Sequence, residues 1–140
     1  MRHITRRILV LVAVMLFALP PYTFAITADS TTVVSLITCA PGRDIYELEG
    51  HTALRIRDAR NDYVVNWGLF DFDAPNFVYR FVKGETDYMC GAIPTDIFLS
   101  YYMRAGREVT EQVLSLSTEE AAGVVSAVQT NLLPHNRVYI

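Results

Sequence analysis

The sequence predicts an α+β domain: a mostly antiparallel sheet with packed helices. Three observations lead there. Short β-branched and apolar runs recur over 32–38, 51–57, 63–70, 86–93 and 109–116. Segments with helical spacing interrupt them irregularly rather than after every strand. The turn Arg60-Asn61-Asp62 closes a local hairpin, which an all-parallel sheet does not contain.

The first 25 residues read as a secretory signal peptide. Arg2, Arg6 and Arg7 precede an unbroken apolar run over 8–19, Pro20-Pro21 breaks it, and Thr23-Phe24-Ala25 follows. The run is shorter than the roughly 20 residues that span a bilayer; a retained anchor helix is the alternative. Cleavage is expected after Ala25, or else after Ala28, leaving 26–140 as one domain of ordinary size. Any membrane association would come from an uncleaved N-terminal segment. The whole chain carries twelve basic and fifteen acidic residues, a formal charge of −3. Without its leader it holds nine basic residues against fifteen acids, about −6. That balance argues against a nucleic-acid partner.

In the body of the chain, 32–38 (TVVSLIT) is a strand stopped by Pro41-Gly42. Residues 44–49 suit a short helical turn with Ile45 and Leu48 inward, ended by Gly50. Residues 51–57 alternate, placing Thr52, Leu54 and Ile56 on one face and Ala53, Arg55 and Arg57 on the other. Residues 63–70 return beside them. Asp73 is expected to cap a helix that Pro75 opens and Gly84 closes, with Phe77, Val78, Phe81 and Val82 as its apolar stripe. After the strand at 86–93, Pro94-Thr95 opens a second helix through Ala105, with Ile97, Phe98, Tyr101 and Tyr102 inward. Gly106 stops it. Residues 109–116 form a strand. Ser117-Thr118-Glu119-Glu120 is a capping box for a third helix to about Leu132, buried through Ala121, Val124, Val125, Val128 and Leu132. Pro134 ends it, and 135–140 is extended.

Candidate chemistry centres on the string ELEGHTALRIRD, residues 47–58. His51 begins a strand directly after a glycine and is a candidate general base, a metal ligand or a hydrogen-bonded structural residue. One histidine in the body of the chain, with no His-x-His or Cys-x-x-Cys, does not make a zinc site; no metal or cofactor is expected. Asp71 and Asp73 are spaced for a carboxylate pair, but strand-end and helix-cap roles account for them. Arg55 and Arg57 suit a solvated face or an anionic substrate. Cys39 and Cys90 would share an oxidising compartment, as a disulfide or as two small buried residues. Cys39 is also a candidate nucleophile with His51 as its partner.

Three stretches, SLITCAPGRDIYELEGHTALRIRD, VVNWGLFDFDAPNFVYRFVKGETDY and REVTEQVLSLSTEE, resemble the bacterial Lnb N-terminal periplasmic domain family. The resemblance runs from about Val33 to the last residue. It implies a circularly permuted papain-like cysteine-hydrolase fold, related to NlpC-type peptidases and lecithin:retinol-acyltransferase-like proteins. It makes His51 the catalytic histidine, oriented by Asn66 or Asp71. It also implies a location in the periplasm or cell envelope, and an amide or ester substrate in a cell-wall peptide, a lipid or a protein. In similar proteins an Asn-Cys pair at a helix start supplies the nucleophile soon after the stretch matching Pro134-His135-Asn136-Arg137. The sequence stops at Ile140 without that pair. The expectation is therefore a C-terminally incomplete domain, inactive and poorly soluble by itself; the alternative is a non-catalytic envelope binding or assembly domain.

Overall fold

The β-branched runs become six strands: β1 (Val33–Cys39), β2 (His51–Arg57), β3 (Asp62–Leu69), β4 (Tyr88–Pro94), β5 (Val109–Val113) and β6 (Val138–Tyr139). Three helices accompany them, α1 (Phe77–Lys83), α2 (Thr95–Arg104) and α3 (Thr118–Leu132). These elements belong to a computed structural model that describes residues 28 and 30–139. The apolar run and the Ala25 cut lie outside the described residues. The strands form one sheet in the order β5-β1-β2-β3-β4-β6, with every ladder antiparallel. The domain is α+β, as the sequence predicts.

Alternation along the central strands gives the sheet two apolar faces, and a helix covers each. On one face Ile37, Cys39, Ala53 and Val64 pack against Phe98 and Tyr102 of α2. On the other, Ile56, Val65 and Cys90 pack against Val125 and Val128 of α3. Ala53 and Ile56, three positions apart in β2, serve opposite cores, because side chains an odd number of residues apart leave a strand on opposite sides. The same parity settles the cysteines. Cys39 and Cys90 lie in opposite cores and are both free, so they do not bridge.

Arg55 is not a free cation awaiting an anion. Its guanidinium forms two hydrogen bonds to the Asp62 carboxylate, at 2.8 and 2.6 Å, and a third to Glu111 at 2.8 Å. The Thr95 hydroxyl also donates to Asp62 at 2.6 Å. This network ties β2 to β3, to the edge strand β5 and to the first turn of α2, and the Arg55 hydrogen bonds hold the Asp62 carboxyl below its usual range.

Several local expectations differ from what the fold adopts. Residues 44–49 form turns, not a helical turn, and Ile45 and Leu48 face solvent. Asp73 does not cap α1. Its backbone N–H donates to Asp71 Oδ1 at 3.1 Å, a local bond that competes with capping. The N-cap is Asn76, left-handed at φ 57°, without a side-chain bond. Val78 and Val82 point outward while Phe77 is buried, and Gly84 closes α1 at φ 71° as expected. In α2, Phe98 and Tyr102 are inward, but Ile97 and Tyr101 are exposed. Residues 134–136 make a turn before β6.

The capping box at α3 is complete. Ser117 Oγ accepts from the Glu120 amide at 3.3 Å, and Glu120 Oε2 accepts from the Ser117 amide at 2.8 Å. Ser117→Ala is expected to lower stability by about 1 kcal/mol, measured as a fall in the urea midpoint at unchanged slope.

Candidate functional site

His51 is delivered by a loop that leaves β1 at Cys39 and returns directly opposite it, since Cys39 and His51 are paired across the ladder. The return depends on Gly50. Its φ is +78°, and a Cβ there would lie 2.6 Å from the Cys39 carbonyl oxygen; only glycine accepts both the left-handed backbone and that approach. From this start β2 points His51, Ala53 and Arg55 toward the α2 face. Asn66, paired with Ala53 on β3, lies on the same face.

The two side chains meet. His51 Nε2 lies 2.8 Å from Asn66 Oδ1. Asn66 is 2% exposed, and its Nδ2 donates to the Val64 carbonyl at 3.4 Å. With the amide nitrogen facing that carbonyl, Oδ1 faces the imidazole and accepts from Nε2–H. Nδ1 is then the basic nitrogen. Of the two candidate orienting residues, Asn66 bonds the ring. Asp71 instead accepts from the Asp73 amide.

A cleft of about 400 Å³ opens over this pair. His51, Asn66, Gly68, Glu47 and Arg107 give it a polar floor, and Phe70, Phe72, Ile97, Phe98, Tyr101 and Tyr102 give it apolar walls. Gly68, at φ +93°, sits where the β3–β4 register shifts, a local irregularity of the kind that re-aims strands beside sites. Tyr102 lies nearly parallel to the imidazole, with ring centroids 6.5 Å apart and planes 9° from parallel. The exposed Ile97 and Tyr101 of α2 are thus cleft walls rather than core.

Neither cysteine serves this cleft. Cys90 is on the far face. Cys39 faces the same way as His51 but is 1% exposed. Burial pushes its thiol up, against the smaller downward pulls of a Tyr102 hydrogen bond and the Arg107 charge. A sealed, un-ionised thiol is a poor nucleophile, so Cys39 does not fill the nucleophile role the sequence left open to it. Among the described residues, no group of three or more His, Cys, Asp or Glu side chains is placed to hold a metal ion.

The model of the Lnb N-terminal periplasmic domain family matches residues 19–139. The chain belongs to that family. It is a periplasmic domain, as the resemblance implied. No curated protein and no solved structure gives a significant match.

In this Lnb N-terminal periplasmic domain the structure brings together His51 and Asn66, both candidates from the sequence, with Glu47, Arg107 and Tyr102, which the sequence did not single out as site residues. Arg107 Nη1 donates to Glu47 Oε1 at 2.6 Å, and its Nε donates to the Ala40 carbonyl at 2.8 Å. Glu47 stands inside the quoted string, yet its partner is 60 positions away, and no local pattern announces such a pair.

Proposed function

We propose that this domain carries the histidine half of a papain-like thiol acyl-transfer site. His51 takes the proton of a thiol. The thiolate attacks an amide or ester carbonyl, and the imidazolium returns the proton to the departing amine or alcohol. Water or a second acceptor then releases the acyl group. The observation that carries this reading is the 2.8 Å contact of His51 Nε2 with Asn66 Oδ1 in the floor of a cleft. An asparagine that fixes the histidine tautomer is the third member of the Cys-His-Asn version of the triad geometry. The substrate is an envelope molecule, a cell-wall peptide, a lipid or a protein, and the protein reaches it through export by the segment 1–25.

The thiol comes from outside the described residues. β6 pairs Tyr139 with Tyr88, and the Tyr139 side chain contacts the Gly68 backbone. β6 therefore runs toward the sheet end that bears His51, with β3 and β4 between it and β2. A non-catalytic binding or assembly domain is the second reading, favoured by the burial of both described thiols.

The test uses the secreted natural gene product treated with iodoacetamide at neutral pH, with labelled sites read by mass spectrometry. The expected result is fast labelling of a thiol other than Cys39 and Cys90, slowed by about 100-fold or more in His51→Ala. Equal labelling in both proteins, or no third thiol in the mature protein, overturns the acyl-transfer reading in favour of binding.

A further inference from the structure

The loop over residues 40–50 starts and ends at two strand residues that face each other, Cys39 and His51. It has no helix or strand of its own, and Ile45 and Leu48 point to solvent. Something must fix its position if the imidazole it delivers is to be fixed. Arg107 touches both of its limbs. Nε donates to the Ala40 carbonyl at 2.8 Å, on the outgoing limb, and Nη1 donates to Glu47 at 2.6 Å, on the returning limb. The neighbouring chain adds to the grip, with the Ala40 amide donating to the Glu108 carbonyl at 2.8 Å. The same guanidinium lies 4.6 Å from the ring centre of Tyr102, the residue whose ring runs beside the imidazole.

This arrangement is not explained by stability. The Arg107 side chain is 5% exposed and that of Glu47 is 14% exposed. Arg107 Nη2 is buried without a hydrogen-bond partner. A buried ion pair with an unmet donor gains little over well-packed apolar side chains. What it supplies is geometry, because a planar guanidinium can hold two acceptors in fixed directions at once. We propose that Arg107 is a positioning residue, which clips the two limbs of the 40–50 loop to the end of α2 and thereby sets the His51 ring against Asn66. The proposal rests on the reading of His51 as the base.

The experiment reads the ring itself. In the ¹⁵N-labelled full-length protein, the His51 Nε2 proton should be slow to exchange and its nitrogen shifts should report one tautomer. In Arg107→Met that proton should be lost to exchange and the two nitrogen shifts should converge, while the amide spectrum stays dispersed. Glu47→Leu frees one limb and should give the same change in smaller degree. Arg107→Lys keeps the charge but not the fork, and should restore less than half of the protection. Wild-type His51 ring signals in a folded Arg107→Met or Glu47→Leu protein overturn the proposal. So does failure of both variants to fold, which would make Arg107 a purely structural residue. The ring signals need no chemistry at His51, so a negative iodoacetamide result would remove the acyl-transfer reading and leave this measurement standing.

Discussion

Ile56→Ala is expected to lower the unfolding free energy by about 2–5 kcal/mol. Ile56 is 0% exposed and stands on β2, which is hydrogen-bonded on both sides, to β1 and to β3. It packs with Val65, Cys90, Val125 and Val128, so its side chain is one of the contacts that seat α3 on the sheet. Truncation removes apolar contact and leaves a void. The flanking ladders resist closing it, because moving β2 toward α3 would stretch hydrogen bonds on two edges. The cost should therefore lie above that of Ile56→Val, about 0.5–1.5 kcal/mol. Val113 offers the contrast: it lies on the edge strand β5 and is 59% exposed, so its truncation should change little. Small domains have only about 5–15 kcal/mol of net stability, which makes the Ile56 loss a large share of the total. Urea unfolding at constant slope gives the number. A loss below about 1 kcal/mol would mean that α3 is not held at this point.

What was legible in the sequence was what the chain decides within a few residues. The capping box at Ser117 and Glu120 needs only local atoms, and it formed. The alternation over 51–57 put Ala53 and Ile56 on opposite faces correctly, and it set His51 at the head of its strand. The errors arose where distant packing outweighed local preference. Asp73 has the chemistry of a helix cap, but Phe72 and Phe77 pack with centroids 5.1 Å apart, and the chain enters α1 through Asn76 instead. Helical spacing placed Ile97 and Tyr101 inward with Phe98 and Tyr102, because periodicity cannot tell a wall of the core from a wall of a cleft. The cysteine question turned on strand parity together with the order of strands in the sheet, and the second is not written in any local stretch. The Glu47–Arg107 pair was illegible for the same reason. Two residues on separate loops meet only after β1, β2 and α2 have been assembled.

Asn66→Leu should separate activity from stability. The substitution replaces a buried amide with an apolar side chain of similar size, but it removes only one partner of the His51–Asn66 hydrogen bond, a change that costs about 1–3 kcal/mol. The Val64 carbonyl loses only a long contact of 3.4 Å. His51 is part-buried and lines the cleft, and its Nε2–H is the group that loses its acceptor. The protein should thus lose only about 1–3 kcal/mol and remain folded. The imidazole would fare differently. Without Oδ1 to accept from Nε2, the tautomer with Nδ1 free is no longer selected, and the ring can turn. In hydrolases of this geometry, loss of the correct tautomer costs up to about 10⁴-fold in rate. The expected fall in His51-dependent thiol labelling is about 10²–10⁴-fold. A double-mutant cycle sharpens the result. If Asn66 acts only by holding the imidazole, the His51→Ala, Asn66→Leu protein should react no more slowly than His51→Ala alone. Rate losses that multiply would instead give Asn66 a role independent of the ring, and the hydrogen bond between them would no longer account for the site.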